Sequence, residues 1–147
     1  MTSCDTNILF PAFDKDSPYH AQARGFLESY ATHTDFCLCE QVLMELYCLL
    51  RNPVVCRVPL SADRATGIIQ GLRSNSRWRI VDIVPGHGIM DQVWSHAAGR
   101  SFAYRRLFDA RLAMVLKHHG VTEFATRNGA DFRDLGFVRL WDPFSAT

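Results

Sequence analysis

Lysine is almost missing from this chain: of the 16 lysines and arginines, only Lys15 and Lys117 are lysine, and the formal net charge is +1. No whole-molecule field of one sign therefore marks a nucleic-acid binder. The arginine bias suits bidentate grip of phosphate and equally suits a compositional habit of the genome. No window approaches the ~18 consecutive apolar residues that a membrane helix needs. The N-terminus runs directly into Thr2-Ser3-Cys4-Asp5 without a basic leader or apolar stretch, which predicts a cytoplasmic protein without a signal peptide. The five cysteines form no CxxC pair and no Cys/His spacing suited to zinc, so reduced, mostly buried thiols are expected. Repeats, low-complexity tracts and linkers are lacking as well, and 147 residues read as one domain, 1–147. The apolar share of 48% is enough to bury a core at this length.

What is present alternates. Residues 3–9 read as a short strand running into a loop at Pro11, and residues 18–30 carry apolar and small side chains at helical spacing. Phe36-Cys37-Leu38-Cys39 has strand character and leads into a helix striped by Val42, Leu43, Leu46, Leu49 and Leu50, which must stop near Asn52-Pro53. A further helix is expected over 61–72, then the most strand-like segment at 78–84, and a helix over 89–98. A basic loop at 99–106 precedes a helix over 108–119, closed by His118-His119 and Gly120, where cations suit the helix end. Short strands are expected at 124–126 and 137–141. This order predicts an α/β fold with a central parallel sheet flanked by helices. In such sheets ligands bind beyond the carboxyl ends of the strands.

Four acids fall at that edge. Asp5 follows the first strand, Glu45 lies about a turn into the helix after the second, Asp109 opens the helix over 108–119, and Asp131 sits in the turn after residues 124–126. Singly, each has an ordinary structural role: a helix cap, an Asx turn at Asp5-Thr6-Asn7, or a partner for Arg51 at Glu45. Together, converging carboxylates repel and raise one another's pKa values unless a cation compensates. Hard oxygen donors completed by water suit Mg²⁺ or Mn²⁺.

Four segments in order, Cys4-Asp5-Thr6-Asn7-Ile8-Leu9, Gln41-Val42-Leu43-Met44-Glu45-Leu46, Phe108-Asp109-Ala110-Arg111-Leu112-Ala113 and Ala125-Thr126-Arg127-Asn128-Gly129-Ala130-Asp131-Phe132, resemble a PIN-domain nuclease, of the VapC toxin type found in bacterial toxin–antitoxin systems. The resemblance extends to the closing Trp141-Asp142-Pro143-Phe144. It implies a three-layer PIN-like fold, with Asp5 and Asp109 as principal metal-binding aspartates. Glu45 then matches the helix-borne glutamate and Asp131 the fourth acid, where family members place an acid at the position of either Asn128 or Asp131. Thr126 and Asn128 match polar positions that orient the site, beside Thr6 and Asn7.

The implied activity is metal-dependent hydrolysis of RNA phosphodiester bonds, leaving a 5′-phosphate and a 3′-hydroxyl. Arg105, Arg106 and Arg111 flank Asp109 as candidate RNA contacts, and Tyr104 or Phe102 as candidate stacking residues; a solvated basic loop with core aromatics is the plainer account. The resemblance also implies a homodimer and a cognate antitoxin, with Phe26, Tyr30 and Tyr47 as candidate interface residues. Two rival classes stand beside this reading. A phosphotransfer enzyme would want a second acid at the first strand end and a late lysine, and neither is there. A non-catalytic nucleic-acid-binding or interaction module would keep an acidic cluster that costs folding energy.

Overall fold

The computed structural model describes residues 1–145. Five short strands, β1 (Thr2–Cys4), β2 (Cys37–Cys39), β3 (Arg79–Val81), β4 (Glu123–Ala125) and β5 (Arg139–Trp141), are joined by seven α-helices among the described residues. Every ladder is parallel. β1, β4 and β5 form one sheet and β2 and β3 another, and a parallel bridge between Thr2 and Phe36 connects them. The strand sequence across the molecule is therefore β3-β2-β1-β4-β5, with its direction of growth reversing between β1 and β4. The crevice at such a reversal is where open parallel sheets take ligands.

The first strand is shorter than residues 3–9. Its pairing ends at Cys4, because the Asp5 carboxylate accepts from the Thr6 N–H at 2.7 Å and caps the helix α1 (Thr6–Leu9). The β-branched Thr6 and Ile8 favour a strand, but the cap overrides that preference. The segment at 78–84 also pairs over three residues only. Asp82 turns its carboxylate back onto the Ile83 N–H at 2.8 Å, which takes the chain out of the ladder. Asp131 lies in the first turn of a short helix, α7 (Gly129–Phe132), and not in a bare turn.

The other helices follow the apolar spacing: α2 (His20–Tyr30), α3 (Glu40–Leu50), α4 (Ala62–Arg73), α5 (Ile89–Ala97) and α6 (Leu107–His118). In α3, Val42, Leu43, Leu46 and Leu50 are buried, and Arg51 caps the helix one residue before Asn52-Pro53. In α6, the small residues Ala110 and Ala113 and the larger Leu112, Val115 and Leu116 are buried, and Gly120 at φ +84° lets the chain leave the helix. No helix among the described residues is long and apolar enough to cross a membrane.

Two aromatic clusters fill the core. Phe36 packs against Tyr30 at 4.7 Å, Trp78 at 5.0 Å and Phe26 at 6.2 Å between ring centroids. Phe26 is thus buried, while Tyr30 is half-buried against Phe36 at the end of α2. On the other half of the sheet, Phe124 lies between Phe132 at 4.8 Å and Phe137 at 5.1 Å. Since Phe124 is fully buried on the central strand β4, Phe124→Ala is expected to lower the unfolding free energy by about 3–5 kcal/mol, read from the shift of the urea midpoint at unchanged slope.

Candidate active site

Parallel register sets the residues that follow the strands side by side. Cys4 pairs with Ala125 and Ala125 with Trp141, so Asp5, Thr126 and Asp142 come next in adjoining strands; on the other half, Cys39 pairs with Val81 and places Glu40 beside Asp82. Four of these five residues are acidic, and three of the four have an arginine: Glu40 with Arg73 at 2.8 Å, Asp82 with Arg111 at 3.4 Å and Asp142 with Arg127 at 3.9 Å. Asp5, at the reversal point, has none among the described residues.

Asp5 is held instead by neutral donors. Oδ1 accepts from the Thr6 N–H at 2.7 Å, and Oδ2 accepts from the Thr126 hydroxyl at 2.7 Å and the Asn7 amide at 2.8 Å. Thr126 is itself placed by the Asn128 N–H, which donates to its Oγ1 at 3.0 Å, while Asn7 Oδ1 accepts from the Arg127 N–H at 3.1 Å. The loop after β4 and the start of α1 are thereby stitched together around one carboxylate. Those three bonds leave part of its lone-pair capacity facing the cleft.

Glu45 reaches the same place from α3. Its Oε2 accepts from the Thr6 hydroxyl at 2.8 Å and its Oε1 from the Gln41 amide at 3.3 Å. Arg51, considered from sequence as a partner for Glu45, instead donates to the Tyr47 hydroxyl at 2.8 Å. Asp109 projects from the first turn of α6. Asp5, Thr6, Asn7, Gln41, Glu45, Asp109 and Asn128 all line one cleft, together with the apolar Phe10, Tyr19, Met44 and Phe108. Asp131 does not line it; from α7 it acts electrostatically on Asp109.

The charge balance is unfavourable as it stands. Burial, opposed by the Thr126 and Thr6 hydrogen bonds and reinforced by Glu45 and Asp109, lifts the Asp5 pKa to about 6. Burial, then Asp131 and Glu45, raise that of Asp109 against the opposing Arg106. Among the described residues no three acidic, histidine or cysteine side chains stand close enough together to hold a metal ion by themselves. The donors nonetheless fit Mg²⁺ or Mn²⁺, because Mg²⁺ takes one or two carboxylates and keeps several waters. Asp5 and Asp109 offer those two hard-oxygen groups on a cleft open to solvent.

The arginines named from sequence separate. Arg105 is exposed beside Tyr104 on the 99–106 loop. Arg106 donates to the Asp131 backbone carbonyl. Arg111 is engaged within the protein, donating to Gln41 Oε1 at 2.7 Å and pairing with Asp82, with its side chain 24% exposed. Several cleft residues were not singled out from the sequence. Phe108, 65% exposed, and Met44, 57% exposed, present apolar surface at the mouth. Arg127 stacks over the Tyr19 ring at 4.0 Å. Gln41 had a visible signal, standing four residues before Glu45 on the same helix face.

No family model matches the chain. Ribonuclease VapC24 of Mycobacterium tuberculosis is 50% identical over 146 residues, covering 99% of both chains. Among solved structures, Mycobacterium tuberculosis VapC20, a sarcin–ricin loop cleaving toxin, superposes with a TM-score of 0.69 at 18% identity over 93% of this chain and 96% of its own. A toxin–antitoxin complex from Klebsiella pneumoniae gives 0.63 at 18% identity over 99% of this chain and 100% of its own.

The raised Asp5 pKa has a consequence for stability. The folded protein keeps a proton on Asp5 that the unfolded chain releases near pH 3.8, so stability from this group is full below that value and is lost as pH rises through about 6. In EDTA, equilibrium denaturation between pH 4 and 7.5 is expected to show a fall from this source of up to about 3 kcal/mol. Asp5→Asn should flatten that slope.

Proposed function

Because the chain belongs to the VapC ribonucleases, which have the PIN-domain fold, we propose that it is a metal-dependent endoribonuclease, the toxin of a toxin–antitoxin pair, acting through Asp5, Glu45 and Asp109 with Asp131 in support. One observation carries this reading: among the described residues Asp5, Glu45 and Asp109 form no ion pair with an arginine, while the strand-end acids to either side each have one. Such a site would take its counter-charge from a cation in solution.

Asp5 and Asp109 would hold Mg²⁺ or Mn²⁺. When bound, the ion supplies Lewis-acid charge to the phosphoryl oxygens and acidifies water at neutral pH. The chain's residues do the rest. Thr126, Asn7 and the Thr6 N–H fix the Asp5 carboxylate so that it need not reorganise as charge develops. Glu45, braced by the Thr6 hydroxyl, would help hold the ion through water and would accept a proton from the attacking water. With water as the nucleophile in line, the products are a 5′-phosphate and a 3′-hydroxyl. Arg105 and the exposed Tyr104 would meet the RNA backbone and an unpaired base.

A cognate antitoxin and a second copy of the chain complete the proposal, with the protein working in the cytoplasm. The candidate contact surface is the exposed apolar rim of the cleft, Met44 and Phe108, with half-buried Tyr47 retained from the sequence reading.

Cleavage of an RNA substrate is expected to stop in EDTA and return with Mg²⁺ or Mn²⁺. Asp109→Asn should reduce the rate at saturating metal by about 100-fold or more, with the fold intact by circular dichroism. Ligation-based sequencing of the new ends should recover 5′-phosphates; cleavage that persists in EDTA and leaves cyclic phosphates would contradict the mechanism.

A further inference from the structure

Gln41 is 5% exposed, and both ends of its amide are engaged. Nε2 donates to the Phe108 carbonyl at 2.9 Å and to Glu45 Oε1 at 3.3 Å. Oε1 accepts from Arg111 Nη1 at 2.7 Å, and Arg111 in turn pairs with Asp82 at 3.4 Å. A guanidinium only donates, whereas a carbonyl and a carboxylate only accept, so these partners allow the amide a single orientation. The carbonyl it bonds belongs to the residue immediately before Asp109. One buried amide therefore spans from the Glu45 carboxylate on α3 to the backbone that carries Asp109 on α6.

Glu45 and Asp109 are like charges on separate helices, and nothing covalent keeps them near each other. From this arrangement we infer that Gln41 is a positioning residue which holds Glu45 at the metal cleft, and that Arg111, anchored on Asp82, fixes the amide for that task. Gln41 touches neither metal nor RNA in this role; it acts through Glu45. The inference rests on the metal-site reading above. It also gives Arg111 an assignment different from the phosphate contact expected from its place beside Asp109.

The test is Mn²⁺ binding to the purified full chain, followed by loss of the free-ion electron paramagnetic resonance signal. Gln41→Ala is expected to weaken binding about tenfold, the size of a lost hydrogen bond to a charged group. In a Glu45→Ala background the same substitution should change binding by less than about twofold, because its target is gone. A merely structural glutamine would weaken binding equally in both backgrounds, and that result overturns the inference, as does an unchanged affinity in Gln41→Ala alone. Should Gln41→Ala not fold, Arg111→Lys serves instead. It retains a charge for Asp82 but lacks the second arm for Gln41, and its effect must likewise vanish with Glu45→Ala. Absence of Mn²⁺ binding by the unsubstituted chain would overturn the metal site itself, an outcome distinct from normal binding that is indifferent to Gln41.

Discussion

The hydrogen bond from the Thr126 hydroxyl to Asp5 Oδ2, at 2.7 Å, joins the ends of the two strands between which the sheet changes direction. Parallel pairing brings the next residue of each strand to the same level. An acid at both positions would repel; an acid and a hydroxyl bond. The same carboxylate caps α1 through Thr6, and Thr6 passes a second hydrogen bond to Glu45. Loss of Asp5 would therefore remove a helix cap, a strand-to-strand link and a carboxylate of the cleft together. The structural account of this residue is therefore compatible with the proposed functional one, and choosing between them is not required.

The distribution of arginine sets Asp5 apart from the other strand-end acids. An acid at a strand end is unfavourable unless screened, and Glu40, Asp82 and Asp142 are each screened by a guanidinium from a neighbouring element. Asp5 receives only neutral donors, and Glu45 and Asp109 approach it from two helices. Burial makes the lack of a counter-charge costly, which is the physical ground for a cation. The scarcity of lysine fits the same arrangement, because a planar guanidinium can brace two partners at once, as Arg111 does with Gln41 and Asp82.

Much of this was legible in the sequence, for identifiable reasons. Helices α3 and α6 declare themselves by apolar spacing, and the alternation of strand and helix gives the parallel sheet and the edge at which Asp5, Glu45 and Asp109 gather, with Asp131 standing outside the cleft. Three features were not legible. The stop of β1 at Cys4 depends on a side-chain cap that competes with the strand preference of Thr6 and Ile8. The burial of Phe26 and Tyr30 depends on Phe36, a contact between segments that local spacing does not encode. The fate of Arg111 depends on Asp82, 29 residues away and brought near only by the sheet. Periodicity reports which face of an element is buried; it does not report which polar side chain meets which.

The central claim is that the Asp5 carboxylate is held in a place where ionisation is unfavourable until a divalent ion arrives. Its titration, followed by carbon-13 chemical shift in protein labelled at aspartate, addresses this directly. Without divalent ions the midpoint should lie at about 6, and with saturating Mg²⁺ it should fall below the ordinary value of 3.8. A midpoint at the ordinary value in the metal-free protein, or one that Mg²⁺ leaves unmoved, would contradict the account.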